Sequence, residues 1–251
     1  MVPAPGSFTF EPLFLVLGAA AVAAYVRAAR TERPAWWRIA LFALGIALVV
    51  VPLNSPLETI AIHYLLLAHL LQNVMLADWA PPLLVLSLTP AMRASLGRRI
   101  PRVLVRPRNA IAIWLVGWYG IHASLFYDYA LRNHWALNLE HGVLVAIGLL
   151  FWWPVLAREQ GLLSTPGTLA YLGAAFAASS FLGLALIFST SAFYSFYEHA
   201  PRLWGLSPAK DQNLGGLVMN GEQTIVFLAA LVYFLLRLLA EEEEATAAMQ
   251  R

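Results

Sequence analysis

The sequence has no cysteine and few charged residues. The absence of Cys from all 251 residues excludes disulfides, thiolate metal sites and thiol nucleophiles. Only 12% of the residues are charged, against about 25% in a typical soluble domain. No polar block is long enough to form a large soluble domain. No nucleotide-binding loop or nucleophile triad is recognisable, so we expect no enzymatic activity.

Hydrophobic residues make up 60% of the chain, and the mean hydropathy is +0.68. Apolar runs of about 20 residues suit membrane-spanning helices and are too long for barrel strands. Seven such segments can be drawn, at 12–29, 36–53, 61–88, 109–128, 137–157, 168–190 and 216–238. The sequence therefore predicts an all-α integral membrane protein, with one seven-helix domain over residues 1–240 and a short acidic cytoplasmic tail at 241–251.

The basic residues predict the orientation of these helices. With the N-terminus outside, 13 of the 16 basic residues, including Arg251, lie on the cytoplasmic side. Only Arg132, Arg202 and Lys210 lie outside. The positive-inside rule favours this topology, with a cytoplasmic C-terminus in the inner (plasma) membrane. Lipid headgroups account for the basic loop at 93–108, so we expect no nucleic-acid partner.

All six histidines fall on the outer side of this topology. Three occupy loops or helix ends that tolerate polar residues: His63, His134 and His199. The other three lie within apolar runs: His69, His122 and His141. Ionisable residues inside a membrane segment are usually functional or paired, so these three are candidate site residues.

One apolar stretch, AHLLQNVMLADWAPPLLVL at 68–86, carries several costly polar groups. His69, Gln72 and Asn73 share one helical face, which we expect to point into the bundle. Interhelical hydrogen bonding and a ligand site both remain open as explanations.

The same stretch continues with Asp78, which needs a partner or water at that depth. Pro81 and Pro82 remove two backbone donors and are expected to kink the helix towards its cytoplasmic end.

Two later segments add further candidate residues. Glu140 precedes His141 at the start of the fifth segment, about 100° away on a helix, so a group on another helix is better placed to orient His141. In the last segment Asp211, Met219 and Glu222 fall along one face if the helix begins early enough. Ordinary packing remains an alternative for Met219.

Imidazole with thioether and without thiolate favours copper, especially Cu(I). Imidazole with carboxylate would also suit zinc or iron. Haem, held axially by two histidines on facing helices, is a less favoured cofactor.

Four separated motifs resemble one protein family. They are AHLLQNVMLADWAPPLLVL; WYGIHASLFYDYALRN around His122; LEH with LLFWWPVL at 139–156; and FYSFY with DQNLGGLVM at 193–219. Together they resemble the CtaG-type cytochrome c oxidase assembly factors, which are seven-helix membrane proteins. The likeness covers about residues 60–219 in the expected order.

The resemblance implies a factor needed to build an active haem–copper oxidase by handling copper. By position, eight residues fall on the family's motif: His69, Gln72, His122, Glu140, His141, Asp211, Gln212 and Met219. The candidate metal ligands among them are His69, His122, His141 and Met219. The candidate supporting residues are Gln72, Glu140, Asp211 and Gln212, together with Asn73 on the same helical face as His69 and Gln72.

Two departures from the family pattern bear on copper. Asn73 stands where the pattern has its second histidine, and Leu137 stands where a histidine is expected four residues before His141. An amide is a poor copper ligand, so these departures predict weak or absent copper binding.

The favoured function is a non-enzymatic assembly chaperone for a respiratory oxidase. The alternatives are a ligand-depleted structural or accessory subunit of a membrane electron-transfer complex, and a haem-binding electron carrier.

Overall fold

The computed structural model describes residues 2–250, apart from the side chain of Glu159, and Arg251 lies outside this range. The described residues form helices without strands. The helices are α1 (Pro12–Ala29), α2 (Trp36–Leu53), α3 (Pro56–His63), α4 (Leu66–Val74), α5 (Ala80–Ser87), α6 (Pro90–Gly97), α7 (Arg102–Val105), α8 (Pro107–Ile121), α9 (Ser124–Ala130), α10 (His134–Leu156), α11 (Thr165–Phe188), α12 (Ser195–His199) and α13 (Pro208–Met249). A π-helical turn (Met75–Trp79) joins α4 to α5, and a 3₁₀ turn (Arg158–Gln160) follows α10.

Local sequence signals begin many of these helices. The side chains of five N-cap residues accept hydrogen bonds from the first backbone N–H groups: Ser55, Thr89, Asn133, Ser164 and Ser207. Several helices also carry proline in their first turn, where its missing N–H costs nothing. Such caps satisfy backbone donors that would otherwise be unpaired at the helix ends.

Five helices are long and apolar enough to span a membrane: α1, α2, α10, α11 and α13. The number rises to seven if each of two bent pairs counts as one span. One pair joins Leu66–Ser87 to α6 through a bend of 111°, and the other joins α8 to α9 through 68°. The all-helical membrane architecture agrees with the prediction, while seven spans and the orientation remain predictions.

The third predicted segment, 61–88, differs most from the structure. It contains a break at Tyr64 and Leu65, where α3 ends and α4 begins. The prolines follow a π-helical turn in which the N–H of Ala80 bonds to the carbonyl of Met75. Pro81 and Pro82 lack the N–H that an α-helix would direct to the carbonyls of Ala77 and Asp78. The sharp bend comes later, after Ser87.

Glycines allow the central helices to pack closely. A Cβ built on Gly148 of α10 would lie 2.4 Å from the carbonyl oxygen of Ala77 and 2.6 Å from Cγ of Pro81. A Cβ on Gly216 of α13 would lie 3.0 Å from the carbonyl oxygen of Gly183 on α11. Small residues of this kind let membrane helices bring their backbones together.

Among the five long apolar helices, α10 is the most deeply buried. Of its most apolar 18 residues 56% are buried, against 17% in both α1 and α13. The largest core cluster includes residues of α4, α8, α10 and α13, with Tyr127, Tyr194 and Tyr197 beside them. The N-terminal segment lies near the start of α10, where the ring of Phe14 contacts that of His141 at a centroid distance of 6.0 Å. Central polar residues of α4 and α10 are therefore enclosed by protein.

Candidate functional site

His69 lies at the centre of a buried polar network between α4, α10 and α12. Its Nδ1 is 3.1 Å from the hydroxyl of Tyr197, and its Nε2 is 3.5 Å from Oε1 of Glu140. The side chains of His69 and Glu140 are fully buried. This arrangement places an imidazole and a carboxyl group from facing helices in direct contact.

The Tyr197 hydroxyl identifies the proton on the His69 ring. Tyr197 donates its only hydroxyl proton to the carbonyl of Ala61 at 2.7 Å. The hydroxyl must then accept from His69, so Nδ1 carries the hydrogen. In the neutral imidazole Nε2 is an acceptor, and among residues 2–250 it has no hydrogen-bond partner, since Oε1 of Glu140 lies 3.5 Å away. A proton added to either group would turn this contact into a hydrogen bond or an ion pair.

Asn73 holds Glu140 from the next turn of α4. Its Nδ2 donates to Oε1 of Glu140 at 3.2 Å, the same oxygen that faces His69. Leu137, the other position where the family pattern predicts histidine, is buried on α10. One replacement thus joins the polar network, whereas the other contributes only an apolar side chain.

His122 and His141 bring unpaired nitrogen atoms close to His69. The His141 and His69 ring centroids are 5.8 Å apart, and neither ring nitrogen of His141 has a hydrogen-bond partner. Nδ1 of His122 donates to the carbonyl of Trp118 at 2.8 Å, which leaves a buried, unpartnered acceptor at Nε2. The ring of Tyr127 lies 5.0 Å from His69 and 5.8 Å from His122. We call His69, Glu140, His141 and His122 the histidine cluster.

The other predicted residues occupy the surroundings of this cluster. Gln72 donates to Oε2 of Glu58 at 2.7 Å and to the carbonyl of Pro52 at 3.1 Å. Asp211 accepts from the backbone N–H groups of Leu66 and Leu67, at 2.8 and 3.0 Å, and so caps α4.

Gln212 and Met219 also support the packing around the cluster. Gln212 accepts from the N–H of Phe193 at 2.7 Å and donates to the carbonyl of Ser191 at 3.1 Å, which fixes the segment after α11. Met219 is buried in the largest apolar cluster. A ligand role for Met219 stays a prediction.

Sequence reasoning missed three polar residues at the site: Glu58, Tyr127 and Tyr197. Glu58 had a detectable signal, because it is the only charged residue in the apolar run PLETIAI. Tyr127 and Tyr197 stand in two of the motifs that carry the resemblance. They were not singled out, because Tyr is common near membrane interfaces.

The cluster contains metal-binding atom types without a preformed metal cage. In residues 2–250, no three His, Cys, Asp or Glu side chains are arranged to hold a metal ion. Nevertheless, the free nitrogen atoms of His122 and His141 are buried without partners, which is costly in the absence of a ligand. Imidazole nitrogen is a common metal-ligand atom type, so a metal-binding role for His122 and His141 stays a prediction.

The fold and the site define a helical, multi-pass membrane protein with a buried imidazole and carboxyl cluster. The Caa3_CtaG family model, described as cytochrome c oxidase caa3 assembly factor, matches residues 19–241. The chain belongs to this family.

Two curated relatives are similar to part of the chain. They are the Uncharacterized protein Mb0105 of Mycobacterium bovis (strain ATCC BAA-935 / AF2122/97) and the Uncharacterized protein MT0111 of Mycobacterium tuberculosis (strain CDC 1551 / Oshkosh). Each is 27% identical over 121 residues, which cover 47% of this chain and 18% of the relative. No solved structure is significantly similar to the chain.

Proposed function

We propose that this chain is a non-catalytic assembly factor for a haem–copper respiratory oxidase in the inner (plasma) membrane. Its histidine cluster would bind Cu(I) weakly and transiently as cargo. The observation that carries this proposal is the proximity of three buried imidazoles: the rings of His69 and His122 both contact the ring of Tyr127, and the ring of His141 contacts that of His69. Among residues 2–250, Nε2 of His122 and both ring nitrogens of His141 have no hydrogen-bond partner. Family membership supports the assembly role.

The electrostatics of the cluster suit a monovalent soft cation. Imidazole nitrogen is a good ligand for copper, and Glu140 supplies one compensating charge when ionised. His69 and Asn73 hold Glu140 against α4, and the Asp211 cap positions the start of that helix. Weak binding follows from the amide at position 73 and from the absence, among residues 2–250, of three His, Cys, Asp or Glu side chains arranged to hold a metal ion.

A maturation assay tests both parts of this proposal. A strain lacking the chain should assemble less copper-loaded oxidase, measured from the oxidase haem spectrum and copper content. Wild type and His199→Ala should restore assembly, since His199 is exposed and its Nδ1 bonds to the carbonyl of the nearby Ser195. His141→Ala should restore it poorly.

Two outcomes separate assembly from copper handling. Full oxidase maturation without the chain would contradict the assembly role. Full restoration by His141→Ala would instead contradict copper handling at the cluster.

A second candidate function is a permanent accessory subunit of an electron-transfer complex. The Asn73–Glu140 hydrogen bond favours it, because this bond makes position 73 part of a structural polar network. Stoichiometric co-purification with mature oxidase would support the subunit role, and association with immature oxidase alone would support the chaperone.

A further inference from the structure

A second buried acidic site lies between the π-helical turn and α13. Asp78 is 0% exposed, and neither of its carboxyl oxygens has a hydrogen-bond donor. The side chain of Glu222 on α13 contacts Asp78 and is 8% exposed. Glu222 accepts a hydrogen bond at Oε2 from the indole N–H of Trp79, while its Oε1 has no donor. The site has one hydrogen-bond donor and three unpaired acidic oxygens.

The π-helical turn brings this site together. Asp78 and Trp79 are consecutive residues of the turn, and both interact with the same side chain of α13. Such turns occur frequently at functional sites because they alter the direction of side chains within a helix. Close packing of Gly148 against Ala77 and Pro81 encloses the opposite side of the turn.

Two adjacent carboxylates cannot both remain ionised in this environment without a compensating cation. Burial of a charge in the membrane interior is costly, and like charges in contact add repulsion. In residues 2–250, the electrostatic partners of the two carboxyl groups are each other and the Trp79 indole, with no Arg, Lys or His among them. A bound positive species must therefore neutralise at least one group.

We propose that Asp78 and Glu222 form a proton-binding site in the membrane interior, separate from the histidine cluster. A proton on one carboxyl group donates to the other and converts two unpaired acceptors into a hydrogen bond. The pair supplies three free oxygens, so a hard metal ion, which takes six or more oxygen ligands, would need at least three further ligands from water or the backbone. The Trp79 N–H also points a donor at the site, which opposes a metal cation.

Protonation of Asp78 and Glu222 affects the contact between the π-helical turn and α13. Both elements are also connected to the histidine cluster. The π-helical turn continues α4, which carries His69, and α13 carries Asp211, which caps α4. Loss of the last proton places two negative charges in contact and weakens the packing of the turn on α13. The pair thus makes the contact between α4 and α13 sensitive to protonation.

Labelling with dicyclohexylcarbodiimide tests the proposal, because this apolar reagent reacts with protonated carboxyl groups in membranes. The purified full chain in phospholipid vesicles would be treated across a pH series, and the adducts located by peptide mass spectrometry. We expect an adduct on Asp78 or Glu222 at neutral pH that disappears as the pH rises. Glu241 is an internal control, since it is exposed and paired with Arg237 at 2.8 Å, and it should remain unlabelled.

Single variants test whether the two groups share the proton. In Asp78→Asn, Glu222 has no neighbouring carboxylate, so the pH at which half of its labelling is lost should fall by about one unit or more. Glu222→Gln removes the carboxyl partner of Asp78 and should also change the pH profile of labelling at Asp78. Absence of an adduct on both residues in the wild type would overturn the proposal. So would identical pH profiles in the wild type and both variants.

Discussion

Asn73 and His69 contact the same oxygen of Glu140. The Asn73 amide donates to Oε1 at 3.2 Å, and Nε2 of His69 lies 3.5 Å from that atom. Position 73 is one turn along α4 from His69, so a side chain there points at the same carboxyl group. The residue at position 73 therefore determines whether the cluster offers an amide donor or another imidazole.

Asn73→His should strengthen Cu(I) binding. The new imidazole would enter the cluster beside Glu140 and add a soft ligand, so we expect affinity to rise by about tenfold or more, equivalent to about 1.4 kcal/mol. The larger ring should cost about 1–3 kcal/mol of stability because the site is fully packed. Anaerobic competition titration with a Cu(I) chelator measures the affinity.

The matched control for this experiment is Asn109→His. Asn109 is on α8 and donates to the carbonyl of Val103, away from the cluster. An equal gain in affinity from Asn109→His would show that any added histidine recruits copper, and would contradict a specific role for position 73.

His69→Ala should abolish Cu(I) binding and also reduce stability. The sequence alone predicts a small stability effect, from one interhelical hydrogen bond. In the structure both ring nitrogens contact partners, and the side chain is fully buried. Removal of the ring leaves a cavity and deprives Glu140 of its contact, so we expect a loss of about 2–4 kcal/mol.

Thermal unfolding in detergent and Cu(I) titration of the same samples measure the two effects of His69→Ala. A Cu(I) affinity equal to that of the wild type in a folded variant would show that the copper site does not include His69. An unchanged unfolding temperature would show that the His69–Glu140 contact contributes nothing to stability.

The orientation of the chain is a separate prediction. Because 13 of the 16 basic residues lie on one side of the predicted topology, the C-terminus and the 93–108 loop should face the cytoplasm. A reporter fused after Arg251 should be active only in the cytoplasm, and Ser95→Cys should resist membrane-impermeant thiol reagents added outside. The absence of native Cys makes this labelling free of background. External labelling of Ser95→Cys in intact cells would contradict this orientation and place the 93–108 loop outside.

The helical membrane fold was predictable because hydropathy acts over whole segments. The segments at 12–29 and 36–53 coincide with α1 and α2. The prediction for the third segment was less accurate, because the apolar run in the sequence continues through the helix break at Tyr64 and Leu65. The π-helical turn was also missed, because it packs against Gly148 of α10 and Glu222 of α13, and these tertiary contacts cannot be read from the sequence.

The candidate site was predictable only in part. Helical periodicity correctly placed His69, Gln72 and Asn73 inside the bundle, where all three are fully buried. Periodicity contains no information on which helices face each other. The sequence therefore could not show which hydrogen-bond partner each of these residues has. Gln72 pairs with Glu58, whereas Asn73 pairs with Glu140.

Gly148→Ala should destabilise the protein, although alanine is the better helix former. The new Cβ would meet the carbonyl oxygen of Ala77 at 2.4 Å and Pro81 at 2.6 Å, and backbone atoms cannot move aside as a flexible side chain can. We expect a loss of about 1–3 kcal/mol from overpacking. Gly142→Ala, on the same helix, has no atom within 4 Å of the new Cβ and should be neutral or slightly stabilising. Thermal unfolding of both variants in the same detergent makes the comparison, and equal unfolding temperatures would contradict the close contact between α10 and the π-helical turn.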